Sequence, residues 1–276
     1  DFIMIKAGVI GWPIGQSKSP IIHGHWLDVH GIEGSYEKIG FSSDEFESGV
    51  RGLIDVGYAG VNVTAPHKLA ALAMADDVSD RAASIGAANT LTFRDCKIHA
   101  DNTDGEGFIN NVMQGAPDWN AGAGPALVLG AGGAARAILS ALIEAGVPEV
   151  ILVNRTRERA QELADIFGRR VVVADWADAE SASGAVATLV NTTALGMLGK
   201  DPLVFDCGAL QRDTLVTDIV YNPLETQLLV DARARGCPTV DGLGMLLHQA
   251  VPGFEAWFGV RPVVDDVLRQ KVLAEL

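Results

Sequence analysis

The stretch ALVLGAGGAA, residues 126–135, decides the fold. Four apolar residues of strand character run into Gly130-x-Gly132-x-x-Ala135, and an apolar helix over Ala134–Ala145 follows, closed by Gly146. A second strand, Glu149–Val153, comes next. A glycine pattern alone is weak evidence, but strand, glycine turn, helix and strand together form the context in which it holds a dinucleotide. Gly130 permits the tight turn, Gly132 lets a pyrophosphate approach the backbone, and Ala135 allows close helix–strand packing. The helix N-terminus faces the negative charge.

The end of the second strand selects the cofactor. Readers of NAD place an acidic residue there to hold the ribose hydroxyls. This chain has instead Asn154-Arg155-Thr156-Arg157, then Glu158 and Arg159. A carboxylate repels a 2′-phosphate, whereas a guanidinium pairs with it and stacks on adenine. Cations at a helix N-terminus oppose its dipole, so the arginines there call for an anion. The expected cofactor is NADP.

Working outward, the first hundred residues alternate short apolar runs with helical ones. Lys6–Ile10 reads as a strand ended by a Gly/Pro turn over Gly11–Gly15, and Ser19-Pro20 opens a helix to about His30 with Ser19 as its N-cap. Ser35–Ile39 and Ala59–Val63 read as strands, Asp44–Asp55 as a helix stopped by Gly57, and a further helix starts at Pro66. Asn89–Phe93 and Lys97–Ala100 have the pattern of a hairpin. Such alternation predicts an α/β layer with mostly parallel strands. The segment QGAPDWNAGAG, Gln114–Gly124, has neither period and reads as the end of a linker between domains. After it the pattern predicts a helix over Arg157–Phe167 and strands at Arg170–Val173, Thr188–Asn191 and Leu215–Val220. Helices are expected over Gln227–Arg235, Met245–Phe258 and Asp265–Leu276.

Composition narrows the class. Of 276 residues 48% are hydrophobic and 20% charged, which supplies a packed core and argues against disorder. With 21 Lys and Arg against 35 Asp and Glu, the net charge of −14 argues against a nucleic-acid groove or an anionic membrane surface. Any anionic ligand must then be held by a few local cations. Cys96, Cys207 and Cys237 are far apart and unpaired in pattern, which fits a reducing cytoplasm rather than a disulfide framework or a zinc site. His23, His25 and His30 fall in one short stretch without acidic or cysteine partners at ligand spacing, so no metal is expected and they read as solvated or helix-surface residues. The N-terminal DFIMIKAGVIGWPIG lacks the apolar core and cleavage site of a signal peptide.

Three stretches of the first half carry chemistry. In Gln16-Ser17-Lys18-Ser19-Pro20 the two serines point the same way if the chain is extended, offering two hydroxyls beside a helix N-terminus to a carboxylate; an N-cap explains Ser19 equally well. In Asn62-Val63-Thr64-Ala65-Pro66-His67-Lys68 a strand ends in polar side chains and a lysine enters the first turn of a helix. Ligands of open α/β sheets gather at such strand ends, and a lysine cation opposed by the helix dipole is placed for proton transfer. Gly86-Ala87-Ala88-Asn89-Thr90 and Asp101-Asn102-Thr103-Asp104-Gly105 put short polar groups at further strand ends, where local turns alone also favour them.

Taken together, QSKSP, NVTAPHK, GAANT and NTDGEG, then GAGGAARA, NRT, NTTALGM, VYNPLET and GLGMLLHQA, resemble the shikimate dehydrogenases in family order over nearly the whole chain. The resemblance implies two α/β domains with an active-site cleft between them. The substrate-binding domain is expected over residues 1–105 plus 245–276 and a Rossmann NADP-binding domain over 106–244. It also implies a cytoplasmic enzyme, monomer or homodimer, that reversibly reduces 3-dehydroshikimate to shikimate with NADPH on the route to aromatic amino acids.

By the same resemblance Ser17 and Ser19 bind the substrate carboxylate with Tyr221. Asn62, Thr64, Asn89 and Gln249 are further substrate contacts, and Lys68 and Asp104 are the catalytic pair, which also touches substrate. Gly130, Ala131, Gly132, Gly133 and Ala134 form the dinucleotide loop. Asn154, Arg155, Thr156 and Arg159 clamp the 2′-phosphate, with Arg157 and Glu158 in the same segment, and Ile219 and Gly242 lie near the nicotinamide. Two positions depart from the pattern: Asp80 stands where the family often has glutamate, as a cofactor contact, and Ala65 replaces a larger residue. The nearest alternative is a quinate/shikimate dehydrogenase with relaxed substrate or NAD use, which the Asn154-Arg155-Thr156 segment disfavours. A non-catalytic paralogue would lack the Lys68/Asp104 pair.

Overall fold

Two six-stranded sheets organise the chain, which a computed structural model describes over residues 3–276. Asp1 and Phe2, part of the stretch read for a signal peptide, lie outside the described residues. The chain divides into two units, Asp1–Thr103 with Gln249–Leu276, and Asp104–His248. The first crossing therefore falls after Thr103 rather than after residue 105, and the return at Gln249 rather than 245.

The first unit runs β1 (Ile5–Gly11), α1 (Ser19–His30), β2 (Gly34–Gly40), α2 (Phe46–Asp55), β3 (Tyr58–Val63), α3 (Lys68–Ala73), β4 (Asp77–Val78), α4 (Asp80–Ile85), β5 (Thr90–Arg94) and β6 (Lys97–Asp101). Its sheet order is β2-β1-β3-β5-β6-β4. Strands β2, β1 and β3 are parallel, but β5 is antiparallel to both β3 and β6, so the sheet is mixed. The expected hairpin is the reason: Asp95 and Cys96 take φ of 54° and 59° and turn β5 directly back into β6. Expected helix starts also move. Pro66 lies in the turn before α3, which opens at Lys68, and α1 is preceded by Lys18 with no side-chain cap, so Ser19 is the first helical residue and not the N-cap.

The second unit runs α5 (Asp104–Gly115), β7 (Ala126–Leu129), α6 (Gly133–Ala145), β8 (Val150–Val153), α7 (Arg157–Phe167), β9 (Val171–Val173), α8 (Ala179–Ala182), β10 (Thr188–Asn191), β11 (Leu215–Asp218), α9 (Gln227–Ala234), β12 (Thr239–Val240) and α10 (Leu243–Gln249), whose last residue belongs to the first unit. All six strands are parallel in the order β12-β11-β10-β7-β8-β9. The order reverses between β7 and β10, the switch point at which doubly wound sheets bind ligands. Both faces are covered: Ala126 and Val128 join a core with Ile138, Leu142 and Leu163, while Leu127 and Leu129 join another with Leu189, Leu228 and Leu229. That is why the strands read as unbroken apolar runs. Gln114–Gly124 is not a linker, because it packs within this unit and the Trp119 indole donates to Thr188 Oγ1 at 3.1 Å.

Two helices, α11 (Val251–Phe258) and α12 (Asp266–Leu273), complete the first unit. The single helix expected over Met245–Phe258 is split into α10 and α11, with the break at Ala250. Phe254 and Trp257 of α11 pack around His23, and His23 stacks on Tyr36 with ring centroids 3.9 Å apart. His23 is fully buried and His25 nearly so, against the solvated reading; of the three only His30 is exposed. Trp26 and Ile22 carry α1 inward, and their helical neighbours go with them. Neither His23 ring nitrogen finds a hydrogen-bond partner. Burial pushes the imidazole down to about 3, the Asn62 side chain offsetting part of this.

A depressed histidine loses stability on acidification, because the unfolded imidazole accepts a proton below 6.5 that the folded one refuses until about 3. Unfolding free energy should therefore fall through that window by up to about 1.4 kcal/mol per pH unit. His23→Phe, which keeps the ring stack, should flatten the slope in chemical denaturation. An unchanged slope contradicts the assignment.

Candidate active site

In the first unit the polar groups converge at the carboxyl ends of β1 and β3, which are neighbours in the sheet. The loops that follow are joined by backbone bonds: Thr64 N–H donates to the Ile10 carbonyl at 2.9 Å and Trp12 N–H to that of Ala65 at 3.2 Å. Ser17 Oγ accepts the Ser19 N–H at 3.3 Å, so both serines sit together at the start of α1. Apart from that bond, neither hydroxyl caps the first turn of this helix. Lys18 is turned away, donating to the Glu275 carbonyl at 2.5 Å. Lys68 is the first residue of α3, and its carbonyl accepts the Ala88 N–H at 3.0 Å, tying the helix start to the Gly86–Thr90 segment. Thr64 is half-buried on the same loop.

Beneath these runs a buried hydrogen-bond chain. Tyr36 donates its hydroxyl to Asn62 Oδ1 at 2.7 Å, and Asn62 Nδ2 donates at 3.3 Å to both the Asn89 carbonyl and Thr90 Oγ1. Burial raises the Tyr36 phenol well above its ordinary value, the Ser19 hydroxyl partly offsetting this. Asn89 Oδ1 accepts the Thr103 N–H at 2.9 Å, Asn89 Nδ2 donates to Thr103 Oγ1 at 2.9 Å, and Thr103 Oγ1 donates to the Gln249 carbonyl at 2.7 Å. Asn62, Asn89 and Gln249 are thus brought into one network, with the Asn62 and Asn89 amides engaged by protein. Asp104 follows directly on the anchored Thr103 and opens α5. Just before it Asp101 accepts from Ser79, from both Arg81 nitrogens and from Asn102 N–H. Burial raises its carboxyl, but these bonds more than offset burial and hold it below the usual range. Asp80 is exposed in the first turn of α4, where a carboxylate suits the helix dipole without any cofactor.

The second unit carries the dinucleotide elements. Gly130 has φ of 104°, and a Cβ there would lie 2.7 Å from Thr192 Oγ1, so only glycine makes this turn. Gly132 and Gly133 open onto free space, and α6 begins with no capping side chain and no acid in its first turn. Its first amides are therefore left for an anion, and the loop fits a pyrophosphate. Asn154 Oδ1 accepts the Ala131 N–H at 3.1 Å and Asn154 Nδ2 donates to the Thr156 carbonyl at 2.8 Å, locking loop and clamp together. Of the arginines there, Arg157 is spent on Asp175, at 2.5 Å. Arg159 is exposed in the first turn of α7 beside Glu158, and Ala134 lies in the first turn of α6.

Asn154 and Arg155 line a pocket of about 550 Å³ with Trp176, Thr193 and Lys200. At the next strand end Asp218 is buried and accepts from Asn191, Val220 N–H and Thr226, its carboxyl raised by burial and partly restored by these bonds. This fixes the chain at Ile219, whose carbonyl would lie 2.4 Å from a Cβ on Gly242. Tyr221 is half-buried just beyond, its phenol raised by burial.

Family models match three parts of the chain: a shikimate dehydrogenase substrate binding domain over residues 9–91, shikimate / quinate 5-dehydrogenase over 120–194, and a shikimate 5′-dehydrogenase C-terminal domain over 242–270. The NADP(+) shikimate dehydrogenase of Paracoccus denitrificans is 57% identical over 269 residues, 97% of this chain and 95% of that one. The chain belongs to the shikimate dehydrogenase family. Among solved structures, the shikimate dehydrogenase of Thermus thermophilus with NADP(H) and shikimate matches at TM-score 0.87 and 35% identity, covering 99% of this chain and 100% of that one. The quinate dehydrogenase of Corynebacterium glutamicum with NAD matches at TM-score 0.90 and 32% identity, covering 98% and 99%.

Several residues around these sites were not assigned from sequence. Thr103 lies inside NTDGEG but had no role, and Tyr36 is indistinguishable from any strand aromatic. Trp176, Thr193 and Lys200 are separated in sequence and meet only in the folded pocket. Burial raises the Cys207 thiol to about 11 and raises that of Cys237, so neither is a thiolate nucleophile at neutral pH. Among the described residues no cluster of three or more His, Cys, Asp or Glu is placed to hold a metal, and no helix is long and apolar enough to cross a membrane.

Thr103→Val should leave the Gln249 carbonyl and the Asn89 amide short of a buried partner, at a cost of about 1–3 kcal/mol. Urea denaturation reads this directly. A loss below about 0.5 kcal/mol, the range of ordinary surface changes, contradicts the anchoring role.

Proposed function

We propose that this protein catalyses the reversible NADPH-dependent reduction of 3-dehydroshikimate to shikimate, as a cytoplasmic monomer or homodimer. The observation that carries the reading is the pairing of strand ends in the first unit: the loop after β1 offers two serine hydroxyls at an uncapped helix start, and the joined loop after β3 offers Lys68. A ring carrying a carboxylate and a reacting ketone needs both, an anion subsite and a proton donor.

Ser17 and Ser19 hold the carboxylate with Tyr221, and Thr64 and Gln249 orient the ring hydroxyls, joined by Asn62 and Asn89 through the bonding capacity their protein partners leave. Lys68 gives its proton to the oxygen of the ketone as that oxygen gains charge, and takes it back in the oxidation direction. Asp104 bonds the substrate hydroxyls and orients Lys68. NADPH, when bound by the Gly130–Ala134 loop and the Asn154–Arg159 segment with Ile219 and Gly242, supplies the hydride. Asp80 remains a proposed cofactor contact.

The test is to mix the purified protein with shikimate and NADP⁺ and follow the reduced nicotinamide by absorbance, with quinate and NAD⁺ in parallel. Reduction confined to shikimate with NADP⁺ is expected. Equal rates with quinate or NAD⁺ would move the protein to the quinate-using branch, and none with any pair would refute the reading. Lys68→Ala should lower kcat by about 10²–10⁴ with little change in KM. A loss appearing only in KM contradicts the proton-transfer role.

A further inference from the structure

Arg155 is one of two cations on the adenosine-side pocket. The other, Lys200, stands on the loop after β10, whereas Arg155 follows β8, and these strands flank β7 on either side. Neither side chain makes an ion pair or hydrogen bond among the described residues, although the chain carries a net charge of −14. Asp201 lines the same pocket, leaving the two cations in excess by one charge.

The Lys200 loop is held rather than loose. Gly196 N–H donates to the Asp201 carbonyl at 2.8 Å, Lys200 N–H to that of Met197 at 3.0 Å, and Leu198 N–H to that of Asn222 at 2.8 Å. Gly196 and Gly199 supply the left-handed turns this closure requires, with φ of 88° and 81°. The position of Lys200 at the pocket is therefore set before any ligand arrives.

We propose that Lys200 is a specificity-determining residue, binding the 2′-phosphate of the cofactor jointly with Arg155, so that the phosphate is held from both strands beside β7. The inference rests on the NADP reading. The exposed guanidiniums of Arg155 and Arg159 are screened by solvent, and a further cation from the loop after β10 steepens the preference for a 2′-phosphate. Lys200 has no counterpart contact with an unphosphorylated ribose, so its effect falls on NADP and not on NAD.

Calorimetric titration with adenosine 2′,5′-bisphosphate and with 5′-AMP separates these. Lys200→Ala should weaken the bisphosphate about five- to twentyfold and leave 5′-AMP within about twofold. Lys200→Arg should restore most of the loss, and the gap between wild type and alanine variant should shrink as salt is raised. In turnover the ratio of kcat/KM for NADP⁺ over NAD⁺ should fall by the same factor. Unchanged bisphosphate binding in Lys200→Ala, or equal weakening of both ligands, overturns the proposal. A wild type that binds the bisphosphate no better than 5′-AMP instead refutes the NADP reading beneath it.

Discussion

The Asn89 carboxamide is the constraint on which the substrate-binding unit depends. It is only 3% exposed, and it bonds to the Thr90 hydroxyl beside it and to Thr103 at both amide and hydroxyl. A buried amide is costly unless satisfied, so its bonds dictate where the chain runs after β6. Thr103 is pinned, its hydroxyl captures the Gln249 carbonyl as the chain returns from α10, and Asp104 must begin one residue later. The Asn89 backbone carbonyl accepts from Asn62 Nδ2 and so links this anchor to Tyr36 and to the stack on His23. Removing any member costs its neighbour a buried hydrogen bond in low dielectric.

A second regularity concerns helix starts. Ser79 caps α4 and Asp265 caps α12 by accepting a backbone amide, but α1, α3, α6 and α7 carry no side-chain cap. These four are the helices that follow the serine pair, the NVTAPHK strand end, the glycine loop and the arginine clamp. An uncapped start is not confined to them, since α2 and α9 also lack one. The four lie at the carboxyl ends of β1, β3, β7 and β8, where their amides and the positive end of the helix dipole suit the carboxylate and phosphates of the proposed ligands.

The second unit was legible in detail because its physics is local. Helix Arg157–Phe167 and strand Thr188–Asn191 were read to the residue, since apolar runs buried on both faces, ended by glycine or polar residues, leave few other solutions. The first unit was read less well where tertiary contacts decide. Ser19 looked like a cap, but Lys18 already occupies that position and the serine enters the helix. His23 looked solvated, and only the packing of α11 against α1 and β2 shows that it is enclosed by Tyr36, Phe254 and Trp257. Gln114–Gly124 looked like a linker because its order comes from core packing of Ala116, Trp119 and Ala121 and a long-range indole bond, not from a repeating pattern. Lys200 escaped notice for a related reason: a lysine in a Gly-rich loop has no periodic signature, and its meaning arises from the strand order that sets it opposite Arg155.

The most direct test of the central claim, that the joined strand ends of the first unit hold a carboxylate beside a proton donor, is a crystal structure of the protein with shikimate and NADP⁺. The shikimate carboxylate should lie on the hydroxyls of Ser17 and Ser19, and Lys68 Nζ at about 2.7–3.2 Å from the hydroxyl oxygen of the carbon that is oxidised. A carboxylate bound elsewhere, or Lys68 out of reach of that oxygen, would contradict it.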